Sequence, residues 1–251
     1  MSGNLQARSG REVNLNFLEL NMAFPTVSAP YGLKPINLIG GQVFAGQTRE
    51  LPIASNTAGV INNGDIVRLS SGFIVKETGT TTVSATGVVG VFVGVSYTNP
   101  STGQKLFANS YPGSIVASDI LAYVVDDPDA LFKVAVTGGA TSTTITPIDN
   151  TILGNNMAIS QPSTNTTISG NSNIGAYDSG SNTAASLPFR VVGLVEETVD
   201  ASGNYSEVIV KWNAPYIAST TTATGDPLVY TTTSVVTGGH SYYNPTGTAN
   251  V

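Results

Sequence analysis

The sequence predicts an all-β fold: a compact β-barrel or β-sandwich with a long loop excursion and extended N- and C-terminal arms. Three observations predict it. Short runs of branched and aromatic residues recur at roughly regular spacing through the middle of the chain. Gly, Asn and Asp separate them, including an Asn63-Gly64 pair, which is a strong turn signal. The two ends and one internal stretch differ sharply in composition from that middle.

Residues 1–46 read as the first arm. Leu15, Phe17, Leu18, Leu20, Met22 and Phe24 are apolar yet keep no sustained helical or strand period. Pro25, Pro30 and Pro35 follow, with Gly32, Gly40 and Gly41. Proline fixes φ and restricts the residue before it, so the segment is extended, with one short helical turn near Asn16–Met22. Such apolar content suits an arm laid on its own domain or on a neighbour, and both readings stay open. These six residues are the first candidates for a subunit or partner interface.

The β domain spans residues 47–213. Arg49–Ile53, Asp65–Leu69 and Phe73–Lys76 are the first strands, with Ser71-Gly72 turning the last two. Gly87–Tyr97 (GVVGVFVGVSY) is the strongest strand. Its continuous apolarity predicts burial on both faces, and Gly90 and Gly94 predict a bulge or a close backbone approach. Lys105–Ala108, Leu121–Val125, Leu131–Val136, Pro188–Glu197 and Glu207–Trp212 complete the set. Thr137–Ser186 is rich in Thr, Ser, Asn and Gly and reads as an excursion from the barrel, with a short buried element at Ile152–Ile159. Residues 214–251 are Thr- and Tyr-rich and read as a tail or second arm.

Composition narrows the function. Of 251 residues 41% are hydrophobic, so a core can form, but only 10% are charged against roughly 25% in an average domain. A neutral, hydrogen-bonding surface of Thr, Ser, Asn and Gly suits a protein packed in an assembly. The net charge is −6 and the ten Lys and Arg are scattered from Arg8 to Lys211, so nucleic-acid binding is disfavoured. There is no cysteine, and the first twenty residues lack the apolar core of a signal peptide. The longest apolar run, near Val88–Val95, is too short to span a bilayer, so no membrane partner is expected.

Candidate chemistry is sparse. One histidine, His240, sits in a Gly-flanked tail where nothing orients its ring, and zinc-type sites lack ligands. Asp126, Asp127 and Asp129 are a weak Ca²⁺ candidate, since hard cations want several carboxylate oxygens. Asp-Pro-Asp also makes a good turn, and the strand-like flanks favour that reading. The glycines of residues 87–94 lack the spacing of a phosphate cradle. No carboxylate pair lies in a recognisable glycosidase segment. No catalytic residue, cofactor or firm metal site is expected, and the chain is read as a non-enzyme. Trp212 ends the last strand. It reads as a core or barrel-closing residue, or as an interface anchor.

Several segments carry a resemblance. They are Leu33–Ala54 (LKPINLIGGQVFAGQTRELPIA), Gly90–Ser114, Ala117–Val134 (ASDILAYVVDDPDALFKV), Ile152–Ala158 and Leu187–Asn213. Across roughly Leu33–Asn213 the chain resembles virion structural proteins of marine tailed phages, and the run holding Tyr123, Asp126, Asp127, Pro128, Asp129 and Phe132 is its most distinctive part. The resemblance implies a capsid decoration (cement) protein on the outer surface of the assembled head, made in the host bacterial cytoplasm. Its expected partners are the major capsid protein and itself, as a homotrimer or homodimer. Two alternatives are a host-recognition or carbohydrate-binding module and a neck or tail component. Against the carbohydrate reading, Tyr177 is the only aromatic residue in the excursion.

Overall fold

A computed structural model describes residues 27–79, 88–141, 143–162, 170–182, 187–198 and 204–213. They form fourteen strands and two short 3₁₀ turns, at Asn150–Ile152 and Glu196–Thr198. In chain order the strands are β1 (Lys34–Leu38), β2 (Arg49–Pro52), β3 (Ile61–Asn62), β4 (Ile66–Ser70), β5 (Phe73–Lys76), β6 (Val88–Thr98) and β7 (Lys105–Ala108). They continue as β8 (Ser110–Tyr111), β9 (Leu121–Val125), β10 (Ala130–Thr137), β11 (Asn156–Ser160), β12 (Gly175–Asn182), β13 (Phe189–Leu194) and β14 (Glu207–Trp212). The fold is all-β, as the sequence predicts.

Five strands close a barrel. β10, β12, β11, β13 and β14 pair in that order, and β14 returns to β10. Every junction is antiparallel except the short parallel one between β10 and β12. Alternation builds the wall. In β14 (EVIVKW), Val208, Val210 and Trp212 are buried while Ile209 and Lys211 are half-buried on the other face. Phe132, Val134, Met157, Ile159, Phe189 and Val191 fill the same interior. Each large apolar side chain hidden this way contributes about 1.5–3 kcal/mol. Trp212 lies edge-on to Phe132 and tilted against Phe189, with ring centroids 5.7 and 5.5 Å away.

A second sheet runs β2-β9-β6-β4-β5, with β7 also on β6. Its central strand explains the continuous apolar run. Val88 and Val91 join Ile66 and Val125 in the barrel-side core, while Val89, Phe92, Val95 and Tyr97 join Ile74, Ala122 and Val124 in a second core. Strand β6 is therefore buried on both faces. Gly90 is required where β6 crosses β9, because a Cβ there would lie 2.0 Å from the Val125 carbonyl oxygen. The β4–β5 hairpin turns at Ser71 and Gly72, with φ of 51° and 83°. Two positive φ values make the primed turn that matches strand twist.

The structure redraws three sequence expectations. First, β1 pairs antiparallel with β10 and Leu33 is fully buried, so the folded unit begins well ahead of residue 47. The preceding residues are strapped down: Tyr205 N–H donates to Val27 O, Gly32 N–H to Ile174 O and Leu33 N–H to Gly64 O. Second, the Thr137–Ser186 stretch supplies two barrel staves, β11 and β12, rather than only an excursion. The β12 sequence, GAYDSGSN, lacks any branched apolar residue, so no strand signal stood out there. Third, of the two readings of Trp212 the core one holds and the interface anchor falls, because the residue is 2% exposed inside the barrel. Its large ring closes the interior that Phe132 and Phe189 leave open.

Candidate functional site

The strap and the barrel meet in a shallow depression of about 350 Å³. Val27, Ser28, Ala29 and Tyr31 line one side, and Lys34, Lys133 and Glu207 the other. Three strands bring the charged groups together. Lys34 opens β1, Lys133 lies opposite it on β10, and Glu207 opens β14. The Tyr31 hydroxyl donates to Glu207 Oε1, and Lys133 Nζ donates to Oε2 at 3.1 Å. Lys34 Nζ sits 4.5 Å from the Tyr31 ring centroid and Lys133 Nζ 6.0 Å from it, a cation–π arrangement.

Burial pushes the Tyr31 phenol well above the ordinary tyrosine range, and the hydrogen bond to Glu207 and its charge add to the effect. The phenol therefore keeps its proton and serves as a donor. Glu207 is buried and accepts from both neighbours. The cluster fastens the strap to the barrel and leaves Lys34 exposed at the rim.

A second buried carboxylate is structural. Asp65 is fully buried and takes Lys76 Nζ at 2.9 Å, Ser172 Oγ at 2.6 Å and the Asn62 N–H at 2.8 Å. It ties the second sheet to the segment leading into β12. A buried carboxylate is tolerated when paired and hydrogen-bonded in this way.

The sequence-predicted residues fall as follows. Leu15, Phe17, Leu18, Leu20, Met22 and Phe24 lie outside the described residues, as does His240. Asp126 pairs with Arg49 Nε at 2.8 Å, and Asp127 Oδ1 accepts from the Asp129 N–H at 2.8 Å. That is the turn geometry, linking β9 of the second sheet to β10 of the barrel. Among the described residues no group of three or more His, Cys, Asp or Glu side chains is placed to hold a metal ion. Tyr97 and Tyr111 are core residues, and the Tyr111 hydroxyl donates to Thr57 O at 3.0 Å. The Tyr31–Lys34–Lys133–Glu207 cluster escaped sequence reading because its members come from three segments far apart along the chain, with 74 residues separating even Lys133 from Glu207. The signal available was local: both LFKV and EVIVKW alternate, which puts Lys133 and Glu207 off the core face. Comparison with protein-family models, curated proteins and solved structures finds no match to this chain.

Proposed function

We propose that this chain is a non-enzymatic decoration protein of a tailed-phage head, bound to the outer surface of the assembled capsid. The observation that supports it is that all fourteen described strands, from Lys34 in β1 to Trp212 in β14, lie within the stretch that resembles marine tailed-phage virion proteins. The fold suits the task. A closed barrel and a second sheet whose central strand is buried on both faces make a stiff body with a low-charge surface, so a contact area repeats without self-repulsion. Isolated apolar side chains stand on that surface, with Val43 79% exposed and Phe107 73%. A protein that binds the assembled shell and not its free subunits stabilises the shell by mass action. Closed symmetry makes a homotrimer or homodimer the expected form.

The test is copy number and location. Heads separated from tails are analysed by quantitative mass spectrometry and imaged. Hundreds of copies on the outer head surface are expected. A handful of copies copurifying with tails sinks the reading and moves the weight to a neck, tail or host-recognition role.

A further inference from the structure

We propose that the outward wall of the barrel across β1, β10, β14 and β13 is a docking surface for a carboxylate-rich protein surface. Strand register sets Lys34 opposite Lys133 and Arg190 opposite Lys211. Phe132, Val134, Val191, Val210 and Trp212 point into the barrel, so Lys133, Arg190 and Lys211 point out. Four of the ten cations of the chain thus gather on four neighbouring strands, although they are scattered in sequence. Glu207 is the only acid within those strands, and it is committed to Tyr31 and Lys133. Among the described residues, Arg190 and Lys211 have no acidic partner. The nearest acids along the chain are Asp129, ahead of β10, and Glu196, after β13.

The opposition is the informative feature. Directly opposed residues on antiparallel strands hold their Cβ atoms about 4.5–5.5 Å apart, and like charges there destabilise the pair. Lys34 and Lys133 are relieved in part by the Tyr31 ring and Glu207. Among the described residues, no acid does the same for Arg190 and Lys211. An anionic partner turns that repulsion into attraction. The face is about 14 Å across, from three interstrand gaps. Its cations alternate with Val192, 42% exposed, and with half-buried Leu131 and Ile209. A mixed apolar and cationic face matches a protein patch bearing carboxylates. A duplex, with a charge about every 1.7 Å, would also meet the field of a chain whose net charge is −6. The inference is independent of the particle assignment.

The test titrates the full-length protein with poly-L-glutamate and, separately, with a DNA duplex of equal charge, at low and moderate salt. The wild type, Lys211→Glu and Arg190→Gln are compared. Poly-L-glutamate is expected to bind, to weaken with salt, and to bind Lys211→Glu about tenfold more weakly. The same substitution is expected to raise Tm by about 1–2 °C, because it makes an opposed repulsive pair attractive. Poly-L-glutamate binding that is absent, or unchanged in both variants, overturns the proposal. So does a duplex that binds more tightly than poly-L-glutamate and is lost in the variants, which assigns the face to nucleic acid. A lower Tm in both variants removes the repulsion on which the proposal rests.

Discussion

Tyr31 links the charge of one carboxylate to the stability of the whole fold. Its phenol is held protonated by burial first and by Glu207 second, so its folded pKa lies above the unfolded value of about 10. The sign follows from linkage. The stabilisation is fully present below the unfolded value and is lost as pH rises above it, because the unfolded chain releases a proton that the folded chain keeps. Wild-type stability should therefore fall more steeply than that of Tyr31→Phe above a pH of about 10. Denaturant midpoints of both proteins between neutral and alkaline pH check this. Parallel curves would show that Tyr31 is not the group responsible. Asp65 is the other residue on which folding turns, since its carboxylate has three donors and no access to water. It is a fastener within the chain, whereas the Tyr31 cluster borders a depression and the cationic wall.

At the scale of elements, β6 is the strand that most constrains the rest. It pairs with β4 and β7 along one edge and with β9 along the other, and its two faces feed two cores. Gly90 makes the β9 crossing possible. The Val125 oxygen and the Asp126 Cα would stand 2.0 and 3.0 Å from an added Cβ, and both are backbone atoms that cannot swing aside. Gly90→Ala is therefore expected to cost about 3 kcal/mol or more, at the high end for a single substitution. Gly72→Ala is a useful contrast, because nothing lies within 4 Å of its added Cβ and only the positive φ is strained. It should cost about 1 kcal/mol. Equal losses in chemical denaturation would show that β6 has room to shift. The legibility of these elements follows from their chemistry. β5, β7, β9 and β14 appear in the sequence with their observed bounds because each is a run of branched or aromatic residues closed by turn formers. β12 does not, because its buried positions include the small Ala176, and small residues carry no strand signal.

For the whole molecule, the shared central sheet makes barrel and second core one cooperative unit. Ile66, Val88, Val91 and Val125 belong to the second sheet yet pack in the barrel-side core. Phe92→Ala, in the second core, and Phe132→Ala, in the barrel, are each expected to lower stability by about 3–5 kcal/mol. Both should shift one common transition. Trp212 is the single tryptophan and is buried in the barrel, so its fluorescence reports that half alone. If Phe92→Ala moves the circular-dichroism transition while the Trp212 signal stays in place, the two cores unfold separately.

The β class, the doubly buried strand at residues 88–98 and the turn at Asp126–Asp129 are legible in the chain, because alternation, continuous apolarity and turn chemistry are local properties. A low-charge surface is likewise a matter of composition alone. Closure of the barrel through β14 and β10 is not local, nor is the place of β1 and β12 in it, since each depends on partners far along the chain. The same holds for function-bearing surfaces. Lys34, Lys133, Arg190 and Lys211 look dispersed until register sets them side by side, because electrostatic contact depends on distance in space and not on separation in sequence.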